Sequence, residues 1–245
     1  ATPLPMTSLP APKGAILVDS VTVLNDTRDI ALIGDASFAL QPGEVVAIIG
    51  PSGAGKSTLA RTLAGAIRPD RGCVRIDGAD MTDWDPERLA RHIGYLPQDP
   101  SLFAGTIKEN IARFTTDLPN TDPAAIDEAA IRAADIACAR GLIQQLTGGF
   151  DHMLKLGGRG LSAGQSQRIA LARAMYGDPA FLILDEPNAH LDAEGDAALL
   201  RAIEHYKTSG RSIIIVSHKL GILPIVDKLL VMRGGKIEMF GPRED

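Results

Sequence analysis

Gly50-Pro51-Ser52-Gly53-Ala54-Gly55-Lys56-Ser57-Thr58 fits the phosphate-cradling pattern G-x-x-x-x-G-K-[ST], and its flanks decide the fold. Glu44 to Ile49 before it reads as a buried strand. Lys56 to Ala66 after it reads as a helix, with Leu59, Leu63 and Ile67 recurring on one face. A strand, a glycine-rich loop and a helix in that order aim backbone N–H groups and a helix N-terminus at one point, where an anion of high charge density fits. The blander reading, a glycine-rich turn between strand and helix, needs the Lys-Ser pair and both flanks to agree by chance. Lys56 would reach the β- and γ-phosphates of a nucleotide, and the Ser57 hydroxyl would sit on Mg²⁺.

Phe181-Leu182-Ile183-Leu184-Asp185-Glu186 supplies the second half of such a site. Four apolar residues read as a strand covered on both faces, and they deliver two carboxylates at its C-terminal end, the edge where open α/β sheets bind ligands. Asp185 would hold Mg²⁺ and Glu186 would act as general base towards the attacking water. The alternative is a strand that ends in solvated acids. Gln98 follows the strand at Ile93 to Pro97, and His218 follows the strand at Ser212 to Ser217, so both fall at that same edge. An amide can coordinate Mg²⁺ and orient water. A neutral imidazole can bond the γ-phosphate and hold Glu186, although a lone histidine is more often an ordinary surface or core residue.

Leu161-Ser162-Ala163-Gly164-Gln165 carries two readings that can both hold. Ser162 and Gln165 fit a capping box for a helix running to Tyr176. A helix N-terminus with a hydroxyl, behind a glycine-rich loop, is also a second phosphate-binding end. It lies in a different part of the chain from Lys56, so two copies arranged head to tail would bring the two ends together.

The remaining chain alternates strands and helices. Residues 1–13 are proline-rich and read as a linker. Strands are expected at 15–18 and 21–24, at 36–40 and at 73–76, with Asp85 capping a short helix that has Pro86 at its first position. Helix dominates 106–146, including Pro123 to Arg140, and Thr147 to Gly160 reads as a loop. Asp192 caps a further helix ending at Gly210. Lys228 to Met232 and Lys236 to Phe240 form a hairpin around Gly234-Gly235. This pattern predicts a mostly parallel α/β sheet with antiparallel strands at each end, and a helical insertion at 99–177.

The chain has 245 residues, of which 45% are hydrophobic, enough for one sizeable core. A net charge of −5 argues against a nucleic-acid-coating surface. Cys73 and Cys138 are far apart, so neither disulfide nor zinc is expected. No apolar run approaches the roughly eighteen residues needed to cross a bilayer, and no leader pattern is visible, which predicts a soluble, cytosolic piece. Ala1 in place of Met suggests a piece of something longer.

Taken together, the motifs resemble the nucleotide-binding domain of an ABC transporter over residues 14–242, in order: Walker A at 50–58, the Q-loop at Gln98, the signature at 161–165, Walker B with its glutamate at 181–186, the D-loop at 188–192 and the switch histidine at His218. The segment from Pro97 to Ile111 resembles exporters. Trp84-Asp85-Pro86-Glu87, the stretch His92 to Gln98 and Leu191-Asp192-Ala193-Glu194-Gly195 resemble type I secretion ATPases of the protease and RTX-toxin group.

The resemblance implies a P-loop ATPase fold with core segments 14–98 and 178–245 and a helical subdomain 99–177. It also implies Mg-ATP as cofactor, bound by 50–58 on one copy and by Ser162, Gly164, Gln165 and Asp192 of a second, with Ser57, Gln98 and Asp185 at the metal. Further implied are a membrane-spanning domain of the same exporter, membrane-fusion and outer-membrane partners, and a place at the cytoplasmic face of the membrane. Rivals are a soluble ABC-class ATPase unconnected with transport, a nucleotide-binding module that does not turn over, and an exporter of lipid, peptide or small molecules.

Three positions depart from the family pattern. Val23, Leu24 and Asn25 stand where exporters carry an aromatic ring that stacks on adenine, which predicts that GTP competes with ATP. Ala163 replaces a glycine in the signature, and Gly158 stands where exporters often have glutamate.

Overall fold

Strands that lie between two layers need no polar face, and that is why the apolar runs of this sequence are continuous. The computed structural model describes residues 9–115, 122–218 and 220–243. It begins with β1 (Ile16–Leu24), β2 (Ala31–Leu40), β3 (Val45–Ile49) and α1 (Lys56–Leu63). Then come β4 (Arg71–Ile76), β5 (Ala79–Asp80), α2 (Pro86–Ala90) and β6 (Ile93–Leu96). The helical stretch holds β7 (Gly105–Thr106), α3 (Ile107–Ile111), α4 (Pro123–Ile136), α5 (Arg140–Gln144), β8 (Met153–Leu154) and α6 (Ala163–Met175). It is followed by β9 (Phe181–Asp185), α7 (Ala193–Thr208), β10 (Ser212–Val216), β11 (Lys228–Arg233) and β12 (Lys236–Pro242).

The main sheet has the order β12-β11-β3-β10-β9-β6, parallel throughout except for β12. Alternate residues of its strands feed two different cores, as the two-residue period of a strand requires. Val45, Ala47, Leu182, Leu184, Ile213 and Ile215 face a layer containing Ile107, Ile169, Ala172, Leu199 and Tyr206 from the helices. Val46, Ile48, Phe181, Ile183, Ile214 and Val216 face Leu59, Ala60 and Leu63 of α1 and the apolar sides of β1, β2 and β4. The loops at the C-terminal ends of β3, β6, β9 and β10 therefore meet at one edge.

The structure departs from the sequence expectation in several places. Only β12 extends the main sheet with an antiparallel strand. The N-terminal strands form a sheet of their own, β2-β1-β4-β5, which covers α1. The runs 15–18 and 21–24 are one strand interrupted by a bulge, with Ser20 at φ 50°. The helix expected through Arg140 stops at Ile136, because Cys138 takes φ 51° and the chain restarts as α5. Within the loop expected at 147–160, β8 pairs with β7. The first helix is also shorter than expected, ending at Leu63 ahead of Gly65 at φ 76°. Of the expected linker, residues 1–8 lie outside the described chain, and Leu9 packs against the α1-side core.

Arg113, just after α3, joins three elements without any carboxylate. Its Nε donates to Arg173 O (3.1 Å) and Nη2 to Ala174 O (3.0 Å), both at the end of α6. Its Nη1 donates to Ala90 O (2.9 Å) in α2 and Ile93 O (3.3 Å) in β6. These bonds hold Arg113 in a left-handed backbone, φ 54°. Replacing it with Met keeps volume but strands four carbonyls, and Arg113→Met is expected to cost about 3–5 kcal/mol, the range for breaking a buried charged network. The readout is a lower urea midpoint at unchanged slope.

Candidate nucleotide site

The phosphate loop lies where only glycine fits. Gly50 sits at φ 149°, and a Cβ there would stand 2.1 Å from Met232 O in β11. Gly55 caps α1 at φ 94°, where a Cβ would meet Leu32 O at 2.5 Å. Alanine at either position would force the loop off β11 or β2. No side chain caps α1 and its first turn has no acid, so its N–H groups are left for an anion. Lys56 is only 6% exposed. Its Nζ donates to Gly50 O and Pro51 O, both at 2.9 Å, so the ammonium is held across the loop.

Two acids arrive from β9 with different surroundings. Asp185 is 2% exposed. Burial raises its carboxyl above the usual carboxylate range, against the opposing pull of the Ser57 hydrogen bond and of Arg61 and Lys56. Ser57 Oγ donates to Asp185 Oδ1 at 3.1 Å. That oxygen pair, one of them an under-compensated carboxylate, suits a hard divalent cation that takes its remaining ligands from phosphate and water. Among the described residues no cluster of three His, Cys, Asp or Glu could hold a metal unaided. Burial, with the Asp185 charge second, also pushes the Tyr95 phenol up to about 12.

Glu186 leaves the strand in a left-handed conformation, φ 50°, fixed by its N–H on Val216 O at 2.9 Å. For a non-glycine residue this is strain of order 1 kcal/mol. It turns the carboxylate toward β10, where Glu186 Oε1 lies 2.9 Å from His218 Nε2. A base oriented by an imidazole, beside a phosphate cradle, is equipped to take a proton from water.

One cleft of about 490 Å³ gathers most of these groups. Ser52 to Thr58 form its floor, and Gln98, Glu186 and His218 line it as well. Gly50 and Pro51 contribute carbonyls to Lys56 and do not line it; Asp185 lies beneath, on Ser57. The structure does not bring Ser162, Gly164, Gln165 or Asp192 to this cleft. Ser162 and Gln165 complete the capping box, with Gln165 N to Ser162 Oγ at 3.2 Å and Ser162 N to Gln165 Oε1 at 2.9 Å. Gly164 packs under His190 O. Asp192 caps α7 through Gly195 N at 2.8 Å and faces Arg168 at 3.6 Å.

Sequence reasoning missed part of the wall. Ile30, Ala31, Leu32 and the Gly234-Gly235 turn line the cleft, whereas buried Val23 does not. The β11–β12 turn was visible as a turn only. Nothing local shows that β2 passes beside the phosphate loop.

Comparisons with known proteins agree with this geometry. A family model described as "ABC transporter" matches residues 33–189. The type I secretion system ATP-binding protein PrsD of Rhizobium meliloti is 44% identical over 96% of this chain and 39% of its own length. The cyclolysin secretion/processing ATP-binding protein CyaB of Bordetella pertussis is 38% identical over 96% of this chain and 32% of its own. The toxin RTX-I translocation ATP-binding protein of Actinobacillus pleuropneumoniae is 35% identical over 97% of this chain and 32% of its own. This chain thus spans about two fifths or less of the length of these relatives. Among solved structures, that of a bacterial Atm1-family ABC exporter with ATP bound superposes with a TM-score of 0.85 at 31% identity, covering 98% of this chain and 41% of that one. Among the described residues no helix is long and apolar enough to cross a membrane.

Proposed function

This chain belongs to the ABC transporter family, and on that premise we propose that it is the ATP-hydrolysing motor domain of an exporter of the type I secretion kind. The observation that carries the chemistry is the Glu186–His218 pair, 2.9 Å apart, lining the same cleft as the phosphate loop. Lys56 and the loop N–H groups hold the β- and γ-phosphates. Ser57, Asp185 and Gln98 would hold Mg²⁺, which when bound offsets the charge of the phosphates. Glu186 accepts a proton from water as the water oxygen bonds to the γ-phosphorus and the bond to the β–γ bridging oxygen breaks. His218 positions Glu186, and Gln98 orients the water. Catalysis is then mostly placement and electrostatics.

The signature half of the site is supplied by a second copy, head to tail, because Ser162 and Gln165 lie outside this chain's own cleft. The helices of 99–177 form the subdomain that presents it. The likeness to PrsD, CyaB and the RTX-I translocation protein supports protein export as the purpose. The same reading implies a membrane-spanning domain of the same exporter, membrane-fusion and outer-membrane partners, and a place at the cytoplasmic face. No nucleic acid is involved.

The test is phosphate release from ATP against protein concentration. Turnover per chain is expected to be Mg²⁺-dependent and to rise with concentration as dimers form. A turnover number that stays flat, from a species that stays monomeric with ATP, would overturn the head-to-tail site.

A further inference from the structure

Glu186 takes a backbone conformation that it would not keep by itself. Its φ of 50° is left-handed, and Pro187 follows it, a neighbour that drives the preceding residue toward extended backbone. Relaxation would swing the carboxylate away from His218, whose Nε2 lies 2.9 Å from Oε1. The chain holds the turn from both sides. Before it, Glu186 N donates to Val216 O in β10 at 2.9 Å, and across it Ala189 N donates to Glu186 O at 3.1 Å. After it, Pro187 O accepts from Gln167 Nε2 of α6 at 3.1 Å.

Gln167 is 1% exposed. Leu171, Leu191 and Leu199 line the same recess between α6 and α7, so its packing does not call for an amide. A carbonyl can only accept, so the group facing Pro187 is the NH₂. At the other end of the amide, Oε1 has no hydrogen-bond partner among the described residues. A buried acceptor without a donor destabilises a fold, so the one bond to Pro187 is what the amide contributes.

We infer that Gln167 is a positioning residue for hydrolysis: its bond to Pro187 O holds the Glu186 turn in its strained form and so keeps the carboxylate on His218. The inference rests on Glu186 being the general base. Lys56, Ser57 and Asp185 are fixed by bonds of their own, so nucleotide affinity does not depend on Gln167.

The test is the steady-state ATPase kinetics of Gln167→Met, which keeps the volume and removes both polar ends. Losing the bond and losing the orphaned oxygen oppose each other, so the melting temperature should stay within about 4 °C of the parent. Turnover should fall by about 10- to 100-fold at unchanged KM for ATP, the scale of a misplaced catalytic group. The protein concentration that gives half-maximal turnover should not move. In a Glu186→Gln background, Gln167→Met should cost nothing further, because its route to the reaction is already gone. Turnover of Gln167→Met within about threefold of the parent would overturn the inference. So would a loss matched by a raised KM or by a melting temperature below that range, or a loss that multiplies with that of Glu186→Gln. A shifted half-maximal concentration would overturn it too, placing the role of the amide at the Ser162 end of α6. Glu186→Gln alone separates the premise from the inference: turnover within about threefold of the parent would mean that the base itself is misassigned.

Discussion

Glu186→Gln is expected to lower turnover by about 10²–10⁴ while ATP binding is retained, the range a positioned general base supplies. The amide keeps the shape of the side chain and can still meet His218, whose Nε2 now stands 2.9 Å from the carboxylate. What it loses is the ability to take the proton as the γ-phosphorus is attacked. With bond breaking stalled, Mg-ATP should accumulate a dimer holding two nucleotides, visible as a doubled mass in light scattering. Turnover within about threefold of the parent would remove Glu186 from the base role, because placement alone would then account for the rate.

Mixing two inactive variants should restore activity, and this is the second large effect. Lys56→Ala removes the ammonium that the loop carbonyls hold. Ser162→Arg replaces an exposed hydroxyl at the start of α6 with a long cation, and by itself leaves the Lys56 cleft of the same chain untouched. A mixed head-to-tail dimer contains one site with both halves intact and one with both halves broken. Equal amounts should therefore recover on the order of a quarter of parental turnover: half the random pairs are mixed, each with one working site in two. No recovery, with mixed dimers demonstrated by mass, would mean that one site cannot fire alone or that Ser162 serves only its capping box. Ser162→Ala separates these outcomes, since it loses the cap but offers little bulk to a partner.

Much of this was legible because motif and strand end coincide. Phe181-Leu182-Ile183-Leu184 could be read as a doubly covered strand since every residue is apolar, and the structure sends alternate members to the two cores. Gln98, Glu186 and His218 could be placed together because each follows such a strand. What escaped the sequence depended on distant pairing. The separate N-terminal sheet arises from β1 pairing with β4, Ile16 against Ile76, across a separation no local pattern encodes. Nothing in the sequence singles out Ile30 and Leu32, and only the passage of β2 beside Gly55 makes them cleft wall. The break after Ile136 lacked any glycine or proline to announce it, and is made by Cys138 adopting a left-handed backbone.

Helix α6 starts at the signature, and at 13 residues it is about 20 Å long. Arg113 bolts its far end to the foot of β6, the strand that leads to Gln98. Midway, buried Gln167 donates to Pro187 O at 3.1 Å, next to Glu186, and Arg168 faces Asp192 and Glu194 at 3.6 Å. The helix is thus a strut between the residues that line this chain's own cleft and the Ser162 hydroxyl at its start. In the head-to-tail pair proposed above, that strut would join Glu186 of one copy to the nucleotide of the other through one continuous helix.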